Sequence, residues 1–98
     1  MSILPHETEI RGEWKLVGGR MEADANCRRI EALTSGPLRK VAMGPSGAWE
    51  VLYVDPADGR YWELTYPQGE MHGGGPPLLE CISRDEARKK YGDGAVSS

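Results

Sequence analysis

The chain reads as an α+β domain, a single antiparallel sheet of about five strands arranged as a meander with two short helices packed on it. Three observations carry this reading. Short runs rich in β-branched and aromatic residues recur between clusters of Gly, Pro, Asp and Ser, the pattern of strands joined by tight turns. Cys27, Ile30 and Leu33 stand at helical spacing, and Ser83-Arg84-Asp85-Glu86 is a capping box ahead of a charged helical stretch.

The elements follow in order. EIRGEWKLV (9–17) alternates as a strand with Ile10, Trp14 and Leu16 on one face, Gly12 at a bulge or close approach, and Gly18-Gly19 ending it. Asp24 or Asn26 caps a helix of about ten residues that Gly36 and Pro37 stop. LRKVAM (38–43), AWEVLYV (48–54) and RYWELTY (60–66) are the next three strands. The link DPADG (55–59) has Pro where a type I turn takes it and Gly where positive φ is needed, so the last two form a hairpin. In the second of these, Trp62, Leu64 and Tyr66 share one face and Tyr61, Glu63 and Thr65 the other. LLECI (78–82) is the fifth strand, and Ser83 opens a helix to Tyr91. Residues 1–92 are expected to be one domain, with 93–98 a flexible tail. Whether the sheet is open or curled into a partial barrel is not fixed by the pattern.

With 98 residues the core is small, and Phe is absent, so three Trp and four Tyr supply its large rings. No stretch approaches the roughly 20 apolar residues of a membrane span, and the opening residues do not resemble a secretion signal, so a cytoplasmic location is expected. Cys27 and Cys81 are then expected as free thiols. The formal charge of −3 is unevenly spread: residues 41–83 carry only Arg60 against six carboxylates. Such a block repels nucleic acid and attracts basic protein surfaces.

The loop after the fourth strand holds Glu70, His72 and Gly73 to Gly75. A phosphate cradle needs a helix N-terminus, whereas Pro76, Pro77 and a strand follow here. Glu70 and His72 have the chemistry of an acid/base pair, without a nucleophile visibly tied to them. No cofactor is implied, and the His and Cys spacings match no zinc motif. Trp49, Tyr53, Tyr61, Trp62 and Tyr66 resemble a base-stacking platform, but lack the flanking cations it requires. The remaining reading is a protein-binding surface of Glu50, Asp55, Asp58, Glu63 and Glu70, with Tyr53, Tyr61 and His72 among them; an ordinary solvated face is the alternative.

HETEIRGEW (6–14), CRRIEAL (27–33), DPADGRYWELTYPQGEMHGGGPP (55–77) and CISRDEARKKY (81–91) together resemble the immunity protein 27 family of bacterial polymorphic toxin systems. The resemblance implies a small cytoplasmic protein, not an enzyme, that binds and neutralises a cognate secreted toxin domain. It carries no contact residues over. The surface expectation therefore centres on Glu63, Tyr61, Glu70 and His72, in a protein expected to be a monomer. Against it stand a placement on the first helix with Arg28 and Arg29 outward, a small enzyme using Glu70 and His72, and a small-ligand module over Trp49 and Tyr61.

Overall fold

The computed structural model describes residues 3–44, 47–66 and 76–96, among which there are seven strands and three helices. Five strands form one antiparallel sheet in the order β1 (Glu9–Arg11), β7 (Leu78–Ile82), β6 (Tyr61–Thr65), β5 (Gly47–Val54) and β4 (Arg39–Gly44). The run from β4 to β7 is the expected meander, and β1 closes the far edge by pairing with β7.

Alternation along the strands divides the core into two layers. On one face Ile10, Val51, Tyr53, Trp62, Leu64 and Leu79 pack under Ile30 and Leu33 of helix α1 (Ala25–Thr34). On the other, Leu52, Tyr61 and Ile82 pack under Ala87 of helix α2 (Arg84–Tyr91) and Val96 of a single helical turn, α3 (Asp93–Val96). The first layer holds the bulk of the large side chains, and Trp62 is fully buried in it. Burying such a ring contributes about 2–3 kcal/mol, less the cost of its indole N–H, which finds no hydrogen-bond partner among the described residues.

The helix caps have the predicted chemistry. Asp24 accepts a 2.9 Å bond from the Cys27 N–H, and that bond to its carboxylate holds its pKa below the usual value. Ser83 and Glu86 complete the capping box of α2. In the 55–59 turn Asp55 is buried, accepts from the Ala57 N–H at 2.9 Å, and receives the Gly59 N–H on its carbonyl at 2.7 Å. Gly59 there has φ +78°.

Two segments differ from expectation. Residues 9–17 are not one strand. Gly12 passes so close to α1 that a Cβ there would lie 2.6 Å from Cys27 Sγ, and its N–H bonds to Pro77 O at 2.9 Å. Beyond it the chain leaves the main sheet as a separate hairpin, β2 (Trp14–Val17) with β3 (Arg20–Ala23). Gly18 and Gly19, at φ +55° and +81°, make its two-residue turn. Leu16 is consequently 71% exposed instead of in the core. Residues 93–96, expected in a flexible tail, form α3, because Val96 is buried to 2% against the second layer.

Candidate partner-binding surface

The face of the sheet under α2 carries an unusual row. Register pairs Glu9 with Glu80 and Glu80 with Glu63, so three glutamates on adjacent strands point to the same side in one line, continued by Leu52 and Ala42. Directly opposed like charges weaken a sheet. One end of the row is neutralised: Lys90 of α2 places Nζ 2.6 Å from Glu63 Oε2 and also pairs with Glu50, which lies on the same face. Tyr91 donates its O–H to Glu63 Oε2 at 2.7 Å.

Burial opposes the charge on Lys90, but the bonds to Glu50 and Glu63 outweigh it and raise its pKa above the lysine norm. Burial and the Glu63 carboxylate drive the Tyr91 phenol strongly upward. Gly44 makes room for the network, since a Cβ there would lie 2.8 Å from Glu50 Cβ and 3.3 Å from Tyr91 Cε1. At the other end Glu80 is exposed, and Glu9 is exposed with Arg11 at 3.5 Å. The row thus passes from a buried, neutralised end to an open, acidic one.

The expected surface residues do not share one face. Glu50, Tyr61 and Glu63 lie under or beside α2, with Glu63 buried. Tyr53 pairs with Trp62 in register and is buried in the opposite layer beneath α1. Asp55 and Asp58 stabilise the β5–β6 turn. Asp58 meets Arg60 at 2.6 Å, and the Arg60 N–H bond with the Arg60 side chain lowers its pKa. Arg60 in turn stacks 5.0 Å over Trp62 and bonds to the carbonyls of Glu7 and Leu4, fastening the N-terminal segment. Glu70, His72 and the side chain of Trp49 lie outside the described residues.

Sequence reading included Glu80 in the acidic block but missed the row, because strand register, which sets Glu9 beside Glu80, is not written in local pattern. It also missed Lys90 as the counter-ion. Arg29, expected to face outward, instead holds Glu7 through two bonds of 2.7 and 2.5 Å, while Arg28 is exposed. Cys27 and Cys81 are free, and burial pushes both thiols up in pKa, away from thiolate reactivity.

Among the described residues no group of three or more His, Cys, Asp or Glu is placed to hold a metal ion, and no helix is long and apolar enough to cross a membrane. The chain is a small α+β domain whose sheet carries an exposed acidic edge at Glu9 and Glu80. Residues 16–83 match the model of immunity protein 27, and the chain belongs to that family. No curated protein and no solved structure matches it.

Proposed function

We propose that this protein neutralises a cognate toxin domain in the cytoplasm of the producing cell, binding it as a monomer through the open, acidic part of the α2-side face. Membership of the immunity family supports a toxin partner. The observation that carries the surface is the Glu9–Glu80–Glu63 row with its exposed end. Within this reading Glu80 and Glu9 meet basic groups of the toxin, with Glu50, Tyr61 and Asp58 flanking them. Glu63 acts from beneath, setting Lys90 and Tyr91. Complementary charge of this kind steers encounter and fixes orientation.

The test is titration of the toxin domain encoded immediately upstream of this gene with the wild-type chain, Glu80→Lys and, as a control on the α1 side, Glu31→Lys. Reversal at Glu80 is expected to weaken binding about tenfold, chiefly by slowing association at low salt, while Glu31→Lys has little effect. Equal effects would remove this face, and absence of binding by the wild-type chain would remove the immunity reading.

A further inference from the structure

The β2–β3 hairpin has no part in the five-stranded sheet, and two-stranded sheets are marginal in water unless packed on something. Its register places Trp14 opposite Ala23 and Leu16 opposite Met21 on one face, apolar in sequence, while Lys15 opposite Glu22 and Val17 opposite Arg20 occupy the other. Leu16 is 71% and Val17 49% exposed, and the Gly18-Gly19 turn beyond them projects into open space. These two neighbours are half of the large apolar side chains exposed among the described residues.

The base of the hairpin is continuous with the acidic face. The Asp24 N–H bonds to Glu13 O at 3.0 Å and closes the hairpin beside a cleft of about 330 Å³. Glu7, Glu9, Glu13 and Asp24 line this cleft against Arg11 and Arg29. Glu9 belongs both to the cleft and to the glutamate row, so the open end of the row leads around the β1 edge to the foot of the hairpin. Arg29 neutralises Glu7 and Asp24 caps α1, whereas the Glu13 carboxylate makes no ion pair among the described residues. The family match opens at Leu16, within β2, and so takes in Leu16, Val17, the turn and β3, but stops at residue 83, before α2.

We infer that the hairpin is a second contact for the same toxin, and this rests on the immunity reading above. The end of the hairpin enters an apolar recess of the toxin with Leu16 on one side and Val17 on the other, and a lysine or arginine bordering that recess is received by Glu13 and Glu9. Taking two exposed apolar side chains out of water contributes affinity that a charged face alone does not, and the neighbouring carboxylates fix the orientation. A lone acidic face supplies steering but little resistance to dissociation, and the hairpin supplies that resistance.

The experiment is calorimetric titration of a catalytically inactivated toxin domain, the one encoded upstream of this gene, with the wild-type chain, Leu16→Ser/Val17→Ser and Glu13→Gln, alongside sedimentation of each protein alone. Because Leu16 and Val17 are exposed, the double variant is expected to melt with the wild type. It is expected to bind about 30-fold more weakly through faster dissociation, with Glu13→Gln about threefold weaker. Unchanged affinity in both variants, with Glu80→Lys still impaired, would overturn the hairpin contact and leave the acidic face standing. A wild-type dimer that the double variant abolishes, with toxin affinity unchanged, would assign the hairpin to a second copy of this chain instead. A wild-type chain that fails to bind the toxin overturns both.

Discussion

Replacing Lys90 with Met tests whether α2 is held to the sheet by charge. Met keeps most of the stem's packing but removes the ammonium that lies between Glu50 and Glu63. Two carboxylates from adjacent strands then face each other, with the Tyr91 O–H the remaining donor to Glu63. The side chains of Glu63, Glu50 and Lys90 are 10%, 23% and 35% exposed, so the network is intermediate between buried and surface pairs. Breaking a buried pair costs about 3–5 kcal/mol and an exposed one under about 1, which places Lys90→Met at about 2 kcal/mol after screening.

For a domain of this size a loss of about 2 kcal/mol lowers the thermal midpoint by roughly 8–16 °C. Urea melts of the wild type, Lys90→Met, Glu63→Gln and the double variant complete a cycle. Glu63→Gln in the Lys90→Met background is expected to recover about half the loss, since the uncompensated charge goes while an acceptor for Tyr91 remains. A Lys90→Met cost below about 0.5 kcal/mol, or a double variant equal to the sum of the singles, would refute the argument. The folded-state pKa values of Lys90 and Tyr91 are raised, from 10.5 and 10.0 respectively. Their contribution is therefore complete below about pH 10 and is lost as pH rises through the raised values, so Lys90→Met is expected to flatten the alkaline limb of stability.

Glu7 is held at a pKa of about 2 by its hydrogen bonds to Arg29, against 4.5 when unfolded, so its contribution is complete above pH 4.5 and is lost as pH falls towards 2. Glu7→Gln is expected to cost about 1.5 kcal/mol at neutral pH, with the gap to wild type closing in urea melts taken across that window. Gly12→Ala, whose Cβ would meet Cys27 Sγ at 2.6 Å and Pro77 O at 3.0 Å, is expected to cost about 2–3 kcal/mol. Pairing it with Cys27→Ala should return part of this in thermal melts, because the sulfur is the nearer obstacle. Glu80→Thr removes the middle charge of the row and is expected to stabilise the free chain by about 0.5 kcal/mol while weakening toxin binding; a variant that loses stability would sink the claim of cross-strand repulsion.

The elements governed by local chemistry were legible in the sequence. The Ser83 and Asp24 caps, the 55–60 turn and the two-faced alternation of residues 61–66 depend on neighbours a few positions apart, and the structure has them as read. What the sequence left open depends on distant partners. Gly12 reads equally as a bulge or a close approach, and only Cys27 lying against it decides for the second. Gly18-Gly19 reads as a stop, although two residues of that type between alternating runs are also a hairpin turn, and the flanking WKLV and RMEA carried that signal. Val96 reads as tail because one apolar residue makes no pattern, and only the uncovered second layer gives it a place. The expected site was split for the same reason: Tyr53 and Tyr61 differ by an even number of positions but sit on opposite faces, because the intervening turn resets the alternation.

The glutamate row has a direction. At its inner end the negative charge is matched by Lys90 and by the Tyr91 O–H, which α2 brings down onto the sheet. At its outer end Glu80 and Glu9 remain in water, where threonine would suit the strands better and avoid repulsion. A fold that covers one carboxylate with a helix, leaves Glu80 without an ion pair among the described residues and gives Glu9 an exposed Arg11 serves stability at one end and, under the proposed function, something outside itself at the other. On the proposed reading that something is a cationic toxin surface, and the repulsion carried by the free chain is relieved on binding. The same relief makes stability and affinity trade against each other along the row, most strongly at Glu80, whose carboxylate has glutamates on both sides.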